Sequence, residues 1–313
     1  MSVVGVVAFV RDLVKVWDVR RALCLAHLTY GLMRGGRLGV AEIGRFVPTP
    51  TTDKHHIKAV DRFLGNQAID LLALWSGLIA LACYRTSRLF VLLDWTDLGN
   101  GFEVLKATVS YGGRSQPVAW VTTRKGYYGR SRNIFESNFC KLLAMTPGRT
   151  RDLEDALYSD SSRVGIRCVL TWGIGANGKI PKAPWYLATN LGSDELSAVE
   201  VVEGYRKRMR IEHAFRDQKS MRFGFQLRSV RLSTVERYDR LFAIAAVAML
   251  LLVMLGAHVE RQGLHKGFKA NTSRARTHSL LRLGLHFLSR LRLRQPPTRQ
   301  MLRAFAGDLD QGL

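Results

Sequence analysis

Acidic residues are scarce in this chain: 25 Asp and Glu stand against 47 Lys and Arg, a formal charge of +22 over 313 residues. Such an excess repels itself, and it points to a polyanionic partner, nucleic acid first, rather than to a generically basic protein with a solvated surface. Cysteine is also rare. Cys24, Cys83, Cys140 and Cys168 are widely spaced, with no CxxC pair and no histidine pair at zinc-ligand spacing. That excludes a zinc finger and a disulfide scaffold and leaves reduced core thiols as the expectation. Internal repeats and low-complexity tracts are missing, and an apolar share of 47% is ample for a folded core.

Long apolar runs are missing save one. The stretch "LFAIAAVAMLLLVMLGA" (241–257) carries no charge, yet it sits at the lower edge of a membrane-spanning length. Its alanines and the flanking Arg237, Arg240 and Arg261 fit a helix buried in a protein core better than a membrane span. No positive region precedes the apolar N-terminal residues and no small-residue cleavage site follows, so the cytoplasm is the expected compartment. A phosphate loop is absent too, because no helix with Lys-Ser/Thr follows the glycine-rich hairpin "GIGANGK" (173–179).

Several elements are legible in what remains. Residues 10–85 read as helical, with "DVRRALCLAHLTYGLMRG" and "AIDLLALWSGLIALACYR" spacing apolar residues by three and four. Between them a short helix, a Pro-Thr turn and the basic helix "KHHIKAVDRFLGN" suit both a DNA-reading helix pair and a plain helical cap. From Arg88 onward "RLFVLLDWT", "EVLKATVSY" and "SQPVAWVTT" read as three strands of an antiparallel meander. A helix is expected at "NIFESNFCKLLAM", an irregular stretch at 146–163, strands at "VGIRCVLTWG" and "APWYLATN", and one long helix over 193–220. A basic helical tail ends the chain. The overall expectation is an α+β fold in three segments: 1–86, a helical DNA-binding region; 87–258, a mixed sheet with flanking helices; and 259–313, the tail.

Two carboxylates stand out chemically. Asp94 closes the apolar run "FVLLD", where a strand end holds a metal ligand as readily as it starts a turn with Asp97 and Asn100. Glu212 lies among the cations of "YRKRMRIEHAFRDQK" (205–219). On a helix, Tyr205, Arg208, Glu212 and Lys219 share an arc of roughly 60°. Phosphodiester chemistry needs carboxylates for a divalent cation and positive charges for the phosphates in one place; without a metal, Glu212 would simply pair with Arg208 or Arg216. His213 faces elsewhere on the helix, and His55 and His56 are expected to touch phosphate or solvent.

The residues Tyr205, Arg208, Glu212 and Lys219 also match Y-x2-R-x3-E-x6-K at every position. The chain thereby resembles the DDE transposases of bacterial insertion sequences that carry this signature. "KHHIKAVDRFLGN", "LLDWTD", "GRSQPV", "PWYLATN" and "KANTSRARTHSL" extend the resemblance over most of its length. It implies an RNase H-like core binding Mg²⁺, or Mn²⁺ in its place, through Asp94 as first aspartate and Glu212 as third carboxylate. Tyr205, Arg208, Lys219 and Arg216 would contact transposon-end DNA, and Lys54, Lys58 and Arg62 would contact it from the N-terminal region. The implied partners are terminal inverted repeats and target DNA, with a homodimer assembled on them near the nucleoid.

The pattern departs at the second aspartate. "TPGRTRDLEDALYSDSSR" occupies its place, and none of Asp152, Asp155 or Asp160 follows an apolar run. Asp160 is the remaining candidate, and the short spacing to "PWYLATN" resembles an internally deleted copy. The expected function is therefore metal-dependent cleavage and strand transfer with an incomplete triad. The alternatives are a remnant that binds transposon ends without cutting, and a nuclease of the same fold without end preference.

Overall fold

Apolar periodicity in the first third of the chain produces five helices: α1 (Val3–Leu13), α2 (Val19–Gly35), α3 (Val40–Arg45), α4 (Asp53–Gly65) and α5 (Leu71–Ala82). The computed structural model describes residues 3–84, 91–111, 114–126, 148–157, 165–173, 178–180, 185–207, 209–220, 225–268, 272 and 276–290. Helix starts follow local chemistry. The Asp18 side chain accepts the Arg20 N–H at the head of α2, and Asp70 accepts the Ala73 N–H at the head of α5. The Pro-Thr turn separates α3 from the basic α4, in the order the sequence suggests.

The meander forms as expected. Strands β1 (Val91–Gly99), β2 (Phe102–Tyr111) and β3 (Arg114–Arg124) pair antiparallel in the order β1-β2-β3. Asp94 is not the end of its strand, however. It lies inside β1 opposite Lys106, and pairing continues through Trp95↔Leu105, Thr96↔Val104 and Asp97↔Glu103. The turn comes only where Gly99, Asn100 and Gly101 all take positive φ. Asp97 is the turn carboxylate, accepting the Gly99 N–H at 2.7 Å and Lys125 Nζ at 2.7 Å. Those bonds, Lys125 foremost, hold its pKa below the usual carboxylate value.

The second half departs further from expectation. The stretch read as irregular contains β4 (Thr150–Leu157), which pairs with β5 (Gly165–Thr171), and β5 pairs with β6 (Trp185–Thr189). Among the described residues every pairing is antiparallel, and the strands form two three-stranded sheets rather than one mixed sheet. The long helix expected over 193–220 is two: α6 (Ala198–Arg206), opened by a Ser197–Glu200 capping box, and α7 (Met209–Lys219). The helix predicted at 133–145 lies outside the described residues.

The apolar stretch forms α8 (Val235–Arg261), long and apolar enough by composition to cross a membrane. It is a core helix, with 94% of its most apolar window buried against the rest of the chain. The N-terminal helices, β1–β3, α8 and the last described helix, α9 (Leu280–Arg290), share one hydrophobic core. Contacts divide the chain into two compact units, residues 1–125 with 210–313, and residues 126–209. Within the first unit α8 meets β3 through Gln116 Nε2 donating to the Ala246 carbonyl at 2.9 Å. Trp120 Nε1 donates to the Asp239 carbonyl at 3.0 Å. α9 crosses α8 at glycines: a Cβ on Gly256 would stand 2.0 Å from the Leu280 oxygen, and one on Gly284 2.1 Å from the Leu252 oxygen.

The thiols are not uniformly core residues. Cys168 is buried, Cys24 half-buried and Cys83 exposed, and Cys140 lies outside the described residues.

Candidate functional site

Successive side chains of a strand alternate, so Leu92, Asp94 and Thr96 share one face of β1. Helix α7 covers that face. Leu92 packs with Ile211 and Phe215 at one end, and Lys219 Nζ donates to Thr96 Oγ1 at 2.5 Å at the other. On β2, Arg210 donates to the Ser110 hydroxyl and Lys106 donates to Gln218 Oε1. The helix therefore runs parallel to β1 and antiparallel to β2, with Asp94 between its two anchor points. Glu212 stands in the first turn of α7 and is exposed. It is about 20° from Lys219 around the helix and about 10 Å from it along the axis. Asp94 is half-buried, and its Oδ1 accepts the Trp95 N–H at 2.9 Å.

A cationic rim surrounds the Thr96 end. Lys219 has a lowered pKa, first through burial and then through the neighbouring Arg228, with Asp97 acting in the opposite sense. Lys125 is held on Asp97, and both Arg228 and Lys125 are exposed. Arg216 is exposed on α7 as well.

Lys106 is the functional-looking residue that sequence reading passed over. It is 1% exposed and lies 3.7 Å from the centroid of the Phe242 ring. Burial pushes its pKa well below the ordinary lysine value, and Lys219 adds to the effect. Gln218, which accepts from it, donates to Met249 Sδ at 2.9 Å, so Lys106 ties β2, α7 and α8 together. The available signal was a lone cation at an inward position of "FEVLKATVSY", between Val104 and Thr108.

Tyr205 belongs to the 126–209 unit, where its ring meets Trp185 edge-on at 4.9 Å. Arg208 and Asp160 lie outside the described residues. Asp152 is engaged by Arg167, whose Nε and Nη2 donate to its two oxygens at 2.8 and 2.6 Å. Arg167 also donates to the carbonyls of Leu191, Gly192 and Leu196, so the pair is a structural tie under β5. Lys54, Lys58 and Arg62 form an exposed stripe at four-residue spacing on α4. His56, expected to touch phosphate or solvent, is instead buried, with Nε2 between the hydroxyls of Thr49 and Thr51.

No family model matches the chain, and no curated protein matches it.

Among the described residues no group of three or more His, Cys, Asp or Glu side chains is placed to hold a metal ion. A hard divalent cation takes one or two carboxylates completed by water and phosphate oxygens. Asp94 and Glu212 carry oxygen donors of that type, and among the described residues no group of three such side chains comes together.

Proposed function

We propose that this chain is a DNA transposase of an insertion sequence, with an RNase H-like core and metal-dependent cleavage and strand transfer at β1 and α7. The supporting observation is the packing of α7 along β1. It sets the Asp94 strand face against the helix that bears Glu212, beside the cations Lys219, Arg228 and Lys125. Asp94 and Glu212 would hold Mg²⁺ or Mn²⁺, which when bound polarises a phosphate and lowers the pKa of a bound water. The protein's own contribution is positional. Lys219, Arg228 and Lys125 neutralise phosphates, and the α4 stripe of Lys54, Lys58 and Arg62 grips the duplex backbone. Tyr205, Arg208 and Arg216 contact the transposon end, and the working form is a homodimer on paired ends in the cytoplasm, at the nucleoid.

A second reading is favoured by the Asp152–Arg167 tie, which removes one candidate for the missing aspartate. In that reading the chain binds terminal repeats without cutting and acts as an inhibitory DNA-binding protein.

The test uses purified full-length protein and DNA from either side of its gene, where the proposal requires terminal inverted repeats. Preferential binding of those ends and Mg²⁺- or Mn²⁺-dependent nicking are expected. Asp94→Asn and Glu212→Gln should each lower nicking by about 100-fold or more, as loss of a metal ligand does, and leave binding intact. End binding with no nicking establishes the inhibitory reading. Binding without preference for the ends, or nicking unaffected by both substitutions, removes the transposase reading.

A further inference from the structure

The N-terminal helices form an open surface cleft that the sheet site does not use. It lies between α2, the 47–51 turn and α4, has a volume of about 520 Å³, and adjoins a second cleft of about 260 Å³. Arg20, Cys24, Ala59 and Arg62 line both, so the two are compartments of one groove.

Its lining is chemically one-sided. Two arginines and three imidazoles, His27, His55 and His56, face the larger compartment, and neither compartment has a lining carboxylate. Burial and the adjacent His56 both lower the His27 pKa, and Arg62 acts electrostatically on Cys24, which places the imidazoles and the guanidinium in one neighbourhood. Two guanidinium groups without a lining carboxylate to balance them are the electrostatic condition for an anion site, with the neutral imidazoles as hydrogen-bonding groups.

The floor is apolar. Leu23, Leu28 and Val47 line it, which suits a flat hydrophobic body rather than a bare ion. One polar group there lacks a partner. His56 is 6% exposed, its Nε2 is held by Thr49 and Thr51 at 2.7 and 2.6 Å, and its buried Nδ1 makes no hydrogen bond.

We infer that this groove binds a single nucleotide unit, its phosphate on Arg20 and Arg62 and its base on the Leu28–Val47 floor. Arginine pairs offer the forked donors that phosphate oxygens accept, and the compartment volume lies within the usual range for small-ligand sites. The same chemistry is presented by a free nucleotide and by an unpaired nucleotide of a DNA strand. The strand is favoured because Lys54 and Lys58 continue the Arg62 stripe along the exposed side of α4, where neighbouring phosphates would run. The inference stands apart from cleavage at β1 and α7 and does not depend on it.

The experiment titrates the full chain with dAMP, with inorganic phosphate and with a single-stranded oligonucleotide, by calorimetry or 2-aminopurine fluorescence. dAMP is expected to bind saturably and at least tenfold more tightly than inorganic phosphate. Arg20→Ala with Arg62→Ala should weaken dAMP at least tenfold at an unchanged melting temperature, and Arg62→Lys should recover only part of it. Lys54→Ala with Lys58→Ala should weaken the oligonucleotide and leave dAMP unchanged, and an oligonucleotide made wholly of abasic units should fail to compete with dAMP. A free-nucleotide site is supported instead where dAMP binds as described and the oligonucleotide does not compete. Absence of saturable dAMP binding by folded protein overturns the inference. Equal affinity for dAMP and inorganic phosphate, or dAMP binding indifferent to the arginine substitutions, overturns it too.

Discussion

Lys106 shows how much a single side chain can carry. A buried ammonium with no ion pair among the described residues is costly, and its hydrogen bond to Gln218, its contact with the Phe242 ring and the field of Asp239 offset only part of that cost. The folded-state pKa is depressed, so the unfolded chain binds the proton more readily and stability rises with pH through the folded pKa toward the ordinary lysine value. Lys106→Met removes this dependence. It leaves Gln218 Oε1 short of a donor at about 1–3 kcal/mol, whereas a desolvated ammonium costs several kcal/mol. The variant is therefore expected to melt about 2–4 °C higher than the parent near pH 6 and to lose that advantage above about pH 10, as followed by circular dichroism. A variant that melts lower at every pH would show that Lys106 is net stabilising while charged. Neither Lys106 nor Arg167 was singled out from the sequence, because a strand's period states which face a residue takes and not what will cover it.

At the scale of elements, the close crossing of α8 and α9 depends on glycine. The carbonyl of Leu280 occupies the space where a Gly256 Cβ would be, so Gly256→Ala must push the helices apart. A loss of about 1–3 kcal/mol is expected, lowering the melting temperature by several degrees, whereas Gly267→Ala, with nothing within 4 Å of its Cβ, should leave it unchanged. Helix positions were largely legible because periodicity over ten or more residues is a strong local signal: α2, α4, α5 and the core helix α8 all stand near where the apolar spacing puts them. The division between α6 and α7 was not legible. "YRKRMR" holds no proline or glycine, and its helix propensity is good throughout. β4 was missed for the opposite reason: "TRDLEDAL" is polar, and it forms a strand because β5 offers it a partner and Arg167 binds Asp152.

For the whole molecule, charge makes the clearest forecast. A protein carrying +22 should bind DNA through counterion release, so affinity measured by fluorescence anisotropy should fall steeply with salt. With six to ten phosphates contacted, a drop of about 10³–10⁵ is expected between about 50 and 200 mM salt. Lys54→Ala, Lys58→Ala and Arg62→Ala should each reduce the log–log slope by about one. A slope near zero would mean that the charge serves some other polyanion or none.

Composition and spacing alone determined the basic character, the α+β content, the meander and the burial of the 241–257 helix. They also determined that Glu212 and Lys219 share a helix face. These properties follow from local periodicity and from sums over side chains, which need no partner to be defined. Tertiary structure decided that Asp94 sits inside its strand beneath α7, that Asp152 is taken by Arg167, that Lys106 is sealed from water, and that His56 turns inward beside two threonines. Each of these depends on which distant element arrives to cover a residue, and that is set by packing between segments far apart in the chain.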